Sequence, residues 1–162
     1  MTTRLGIGYD SHRFAAGRSL HLAGVTVPHT HGLVGHSDGD VALHAVVDAL
    51  LGAAALGDIG TFFPDDDPRW RGADSTQFAK QVVETLRQGG YSVQQVDVTI
   101  LAERPKLAPL IAQMRAATAK ALGVKVDAVS IKAKTNEGMG WIGRGEGIAA
   151  LAVATVVRAA TG

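Results

Sequence analysis

Ile148 to Val157 is a ten-residue run in which only Thr155 is polar. Ile148, Ala150, Ala152 and Ala154 lie on one side of a strand, and Leu151, Val153, Thr155 and Val157 on the other. A strand with one wet face alternates apolar and polar residues, and this one does not. Both of its faces must be covered. A membrane helix needs about 20 such residues, so the run is too short to span a bilayer. The three amphipathic helices expected elsewhere in the chain can cover one sheet face. The other face is then shielded either within the chain or against copies of it, and self-association into an oligomer is the expected outcome.

With 162 residues, of which 46% are hydrophobic, the chain suffices for one domain spanning 1–162 with a real core. Sixteen basic residues balance fifteen acidic ones, which gives no reason to expect nucleic acid as a partner. Cysteine is absent, so disulfides, thiolate nucleophiles and Cys-ligated metals are excluded. The first residues lack the apolar region of a signal peptide, and a soluble cytoplasmic protein is expected.

The periodicities predict an α/β fold, an α+β sandwich whose mixed sheet carries helices on one face. A strand runs through Leu5, Ile7 and Tyr9 to a polar end at Asp10-Ser11-His12. A small hairpin follows over Leu20–Val27, then a His- and Gly-rich loop from Pro28 to Ser37. Helices are expected over Asp38–Leu56, over Ser75–Gln88, and from Pro105 to about Leu122. Val96–Ile100 and Val129–Ala133 alternate as strands, and the segments 57–73 and 137–147 read as loops.

All six histidines lie in the first 44 residues. Asp10 and His12 are spaced i, i+2, so both point to one side of a strand. Asp40, His44 and Asp48 form the only polar stripe of an otherwise greasy helix, where they are costly unless paired or bound to metal. Asp10, His12 and His44 together offer one carboxylate and two imidazoles, a set that suits zinc with an open fourth position. A core histidine beside a polar turn is the alternative. Gly138 to Gly143 matches G-x-G-x-x-G, but Arg144-Gly145-Glu146-Gly147 follows where a dinucleotide fold needs a helix. No phosphate-binding G-x-x-x-x-G-K motif and no G-x-S-x-G elbow are present. Lys132, Lys134, Thr135 and Glu137 run off a strand end, where they either meet a phosphate and Mg²⁺ or stand solvated.

Gly8-Tyr9-Asp10-Ser11-His12, His36-Ser37-Asp38-Gly39-Asp40 through His44, Gly57-Asp58-Ile59-Gly60, Phe63-Pro64-Asp65, Pro105-Lys106, Lys132 to Glu137 and Gly143-Arg144-Gly145-Glu146-Gly147 occur in this order along the chain. In them the sequence resembles the 2-C-methyl-D-erythritol 2,4-cyclodiphosphate synthase family of the non-mevalonate isoprenoid pathway. The resemblance implies a homotrimer with its sheets facing the threefold axis and active sites between subunits. It implies one zinc per subunit on Asp10, His12 and His44, and Mg²⁺ or Mn²⁺ on Glu137 with the substrate diphosphate. His36 and Ser37 match a mobile segment that closes over the methylerythritol phosphate. Asp58 and Gly60 match contacts to its hydroxyls, and Phe63 and Asp65 join the substrate-binding set. Ala102, Pro105, Lys106, Leu107, Ala133 and Thr135 match residues around the cytidine and its phosphates. Arg144 matches a residue facing a central cavity that holds an isoprenoid diphosphate in some members. The family often carries Thr at the positions of Lys134 and Asn136, and Lys at that of Gly138; Lys134 adds a positive charge near the diphosphate.

The implied reaction is intramolecular attack of a 2-phosphate on a diphosphate, with loss of CMP. Another metal-dependent phosphoester enzyme, or an oligomeric binding protein without metal, are the competing classes.

Overall fold

A computed structural model describes residues 1–158. Its main sheet has five strands in the order β4-β1-β7-β5-β6, with β1 Thr2–Ala16, β4 His31–Leu33, β5 Tyr91–Leu101, β6 Val129–Lys134 and β7 Gly147–Arg158. β5 and β6 run parallel and the other pairs antiparallel, so the sheet is mixed. β2 (Leu20–Leu22) and β3 (Val25–Val27) form a separate hairpin. The helices are α1 (Val41–Ala54), α2 (Ile59–Phe62), α3 (Ser75–Gln88), α4 (Ile111–Leu122) and α5 (Gly140–Gly143).

The Ile148–Val157 run lies at the centre of the sheet, between β1 and β5. Ile148, Ala150, Ala152, Ala154 and Val156 are buried on the helix side. Among the described residues the other side is only partly covered. Leu151 is 38% exposed there, and on the neighbouring strand Leu5, Ile7 and Tyr9 are 65%, 64% and 53% exposed.

α1 lies directly on β1 because the strand has no side chains in the way. A Cβ on Gly6 would stand 2.0 Å from the Ala49 carbonyl oxygen, and one on Gly8 2.0 Å from that of Ala45. Ala45, Ala49 and Ala53, at i, i+4 and i+8, form the matching face of the helix. This close approach brings His44 down to the level of Asp10 and His12.

Several elements differ from the sequence expectation. β1 continues through Asp10-Ser11-His12 to Ala16, because β7 pairs with it as far as Arg13. A polar side chain does not end a strand whose backbone has a partner. Pro105 lies in the turn after β5. It is Pro109 that opens the helical turn Ala108–Leu110 leading into α4, where a missing N–H costs nothing. The segments 28–37, 57–73 and 137–147, expected as loops, contain β4, then α2 and a 3₁₀ turn at Pro68–Trp70, then α5.

Candidate active site

Asp10 and His12 stand on the helix side of β1, and His44 stands one turn into α1. Asp10 Oδ2 lies 2.8 Å from His12 Nε2 and 3.0 Å from His44 Nδ1, and the two ring nitrogens are 3.2 Å apart. These atoms form the one group of three or more metal-capable ligands among the described residues. A tetrahedral zinc with bonds of about 2.0–2.1 Å separates its ligands by about 3.4 Å, close to what the triangle shows. Burial raises the carboxyl of Asp10, but hydrogen bonds from His12 and His44 and their charges outweigh it and hold the group well below the usual carboxylate range. Burial pushes His12 down, and the hydrogen bond and charge of Asp10 pull it above its ordinary value. The donor set, one anionic oxygen and two imidazole nitrogens converging on one point, fits a divalent cation.

The other two members of the polar stripe do different work. Asp40 is fully buried and caps α1. Its carboxylate accepts from the backbone of Leu43 (3.0 Å), Ala23 (2.8 Å) and Gly24 (2.7 Å), which fastens the β2–β3 turn to the helix. Asp48 accepts from Ile59 N at 2.7 Å and so ties α2 to α1. Burial pushes both carboxyls up, and neither residue joins the triad.

A cleft of about 370 Å³ opens over the triad. Val34, His36, Ser37, Gly60, Phe63 and Asp65 line it, together with Trp70 and Phe78. Phe63 stacks on Phe78 with ring centroids 4.4 Å apart, and Trp70 meets both edge-on, which gives the cleft an apolar wall. The His36–Asp38 segment is fastened to the loop beside it. His36 Nε2 donates to Asp67 O (3.0 Å), Gly72 N to His36 O (2.8 Å), and Asp38 N to Ala73 O (3.0 Å). Asp58 caps α2, accepting from Thr61 N and Oγ1, and these bonds lower its pKa.

The second group of expected residues lies elsewhere on the chain. Lys106, Thr135 and Arg144 line another cleft with Glu103, Arg104 and Gly145. Ala102 N donates to Lys134 O at 2.8 Å, joining the ends of β5 and β6, where Ala133 also lies. Ala102 and Leu107 are buried, and Pro105 lies in the turn between them. Glu137 is exposed, with a left-handed backbone (φ 52°). Arg144 pairs with Glu146 at 2.6 Å. The two clefts share no lining residue, and a third of about 930 Å³, lined by His12, Arg104 and Gly145 among others, touches both.

Sequence reasoning missed Ser75, Glu103, Trp70 and Phe78 as parts of the site. Glu103 Oε1 accepts from Asn136 N (2.8 Å) and Gly138 N (3.1 Å), thus holding the backbone on both sides of Glu137. At a strand end it reads as one more solvated carboxylate. Phe78 carries the helical period of α3, which signals core alone.

Residues 3–157 match the model of the YgbB family. A 2-C-methyl-D-erythritol 2,4-cyclodiphosphate synthase of Salinibacter ruber is 56% identical over 153 residues, covering 94% of this chain and 98% of that one. The bifunctional IspDF of Campylobacter jejuni superposes with a TM-score of 0.94 at 39% identity over 98% of this chain, which spans 43% of that longer protein. A 2C-methyl-D-erythritol-2,4-cyclodiphosphate synthase solved in a CDP-bound form gives 0.87 at 38% identity, covering 95% of this chain and all of the other.

Proposed function

The chain belongs to the YgbB family, and from that membership together with the Asp10–His12–His44 triad we infer its activity. It is a metal-dependent lyase of isoprenoid biosynthesis. It converts 4-diphosphocytidyl-2-C-methyl-D-erythritol 2-phosphate to 2-C-methyl-D-erythritol 2,4-cyclodiphosphate and releases CMP. The observation that carries this reading is the triangle of one carboxylate oxygen and two imidazole nitrogens at the floor of a cleft.

In the reaction an oxygen of the 2-phosphate attacks the diphosphate phosphorus attached to the erythritol oxygen. The bond from that phosphorus to the CMP oxygen breaks, and an eight-membered ring closes. The nucleophile is already anionic, so no strong base is needed. What the protein supplies is position and charge. Asp10, His12 and His44 are the ligands for one zinc per subunit, and Glu137 is the ligand for Mg²⁺ or Mn²⁺. Bound there, the ions provide Lewis-acid neutralisation of the phosphates. His36 and Ser37 hold the methylerythritol phosphate from one side of the cleft, and Asp58, Gly60 and Asp65 hold it from the other. Phe63, with Trp70 and Phe78 beside it, keeps water from competing with the ring-closing oxygen. Ala102, Pro105, Lys106, Leu107, Ala133, Lys134 and Thr135 bind the cytidine and its phosphates.

This reading treats residues 1–162 as a single cytoplasmic domain that works as a homotrimer. The partly covered sheet face supports the trimer, with Leu5, Ile7, Tyr9 and Leu151 exposed. That the triad cleft and the Lys106–Thr135 cleft have no lining residue in common supports active sites between subunits, each built from two chains. Arg144 then faces a central cavity able to take an isoprenoid diphosphate. The test is to incubate the purified protein with the cytidine substrate and separate the products. CMP and cyclic diphosphate should form in equal amounts. Hydrolysis to a linear phosphate, or turnover of simple phosphoesters without the cytidine substrate, would contradict the assignment.

A further inference from the structure

His44 presents its two nitrogens to different neighbours. Nδ1 faces the triad. Nε2 faces Ser75 Oγ and Ser37 Oγ, each at 3.0 Å. Ser75 is fully buried at the start of α3. Its hydroxyl also lies 2.5 Å from Asp38 Oδ1, while its backbone N–H donates to Asp38 Oδ2 at 3.0 Å. A hydroxyl has one proton to give, and an ionised carboxylate can only accept. Ser75 therefore donates to Asp38, and towards His44 its oxygen is an acceptor. When Nδ1, 3.0 Å from Asp10 Oδ2, gives up its proton to bind a metal, the Ser75 oxygen is the acceptor that holds the remaining proton on Nε2.

We propose that Asp38, acting through Ser75, is a positioning residue that orients the His44 ring through Nε2 and so presents Nδ1 as a ligand. This rests on the reading of Asp10, His12 and His44 as the metal centre. The partner of a ligating imidazole's second nitrogen commonly fixes its tautomer and raises its basicity. Here the partner is a serine whose own direction is set by a carboxylate, and the carboxylate is further oriented by Asp40 N, which donates to Oδ1 at 3.0 Å. Ser37 is the weaker support, because no carboxylate among its hydrogen-bond partners fixes the direction of its hydroxyl.

Two measurements test the proposal. Ring-nitrogen NMR of the zinc-loaded wild type should find zinc on His44 Nδ1 and the proton on Nε2. Zinc affinity, measured by competition with a chromophoric chelator, should fall about 10–100-fold in Ser75→Ala, in line with the loss of such a supporting bond. Ser37→Ala, which leaves the Asp38-backed acceptor in place, should lose less. Zinc on Nε2, with the proton on Nδ1, in the zinc-loaded wild type overturns the proposal, even if Ser75→Ala fails to fold. So does zinc binding in folded Ser75→Ala as tight as in the wild type. If the wild type takes up no zinc, or His44→Ala takes up as much, the metal centre itself falls and the relay with it.

Discussion

Asp10 and His12 shift each other's protonation in opposite directions, and this gives the metal-free protein a distinctive pH response. The depressed carboxyl of Asp10 contributes stability above its ordinary value of 3.8, and loses it as pH falls through the folded value. The raised imidazole of His12 contributes stability below its ordinary 6.5, and loses it as pH rises through the folded value. Thermal melts of metal-free protein should therefore show this pair's contribution fully present between those two pH values and declining on either side. Zinc binding needs the same His12 nitrogen free of its proton, so it should strengthen over the rise in pH that weakens the pair. Chelator competition at about pH 6 and about pH 8 checks the sign, and tighter binding at the lower pH would refute it. His44→Ala removes one of three ligands. It should lose more than the roughly 10–100-fold in zinc affinity that a lost supporting bond costs. Cyclisation should disappear while the fold survives, because Val41, Ala45, Val46 and Leu50 stay in place and Ala favours the helix. Circular dichroism with elemental analysis would report both. Glu137→Gln should keep the zinc and the oligomer but lose most activity across a Mg²⁺ titration; wild-type turnover would remove Glu137 from the mechanism.

At the scale of elements, the site depends on how closely α1 approaches β1. Gly8→Ala would drive a methyl group into the Ala45 carbonyl oxygen at 2.0 Å, and a backbone atom cannot swing aside as a side chain can. The expected cost is about 1–3 kcal/mol in denaturant unfolding, with weaker zinc binding because His44 is lifted from the strand. Unchanged stability and affinity would show that the contact is not what seats the triad. This dependence explains what could be read from the residues alone. The i, i+2 spacing of Asp10 and His12 and the lone polar stripe on α1 are local patterns, and they led directly to three ligands. That Asp40 would turn back to the hairpin and Asp48 forward to α2 depends on backbone N–H groups distant in sequence, which no spacing reveals. Ser75 was invisible for the same reason: it meets His44 only because α3 packs beside α1. The parallel β5–β6 pair and the length of β1 likewise depend on which strands become neighbours.

For the whole molecule, the exposed sheet face is the proposed surface of assembly. Sedimentation equilibrium at micromolar concentration should give three times 16.8 kDa. Ile7→Asp, which places a charge on a face now 64% exposed on the single chain, should shift the protein towards monomers without touching α1. A monomeric wild type with unchanged fold would defeat the trimer. If each active site is built from two chains, as proposed, monomers should bind zinc yet fail to cyclise. The central claim is that cyclisation depends on a metal held by Asp10, His12 and His44. Its most direct test is CMP release from the cytidine substrate by chelator-stripped protein, followed as zinc is added back at constant Mg²⁺. Activity should start near zero and level off at one zinc per subunit. Full activity before any zinc is returned would contradict the account.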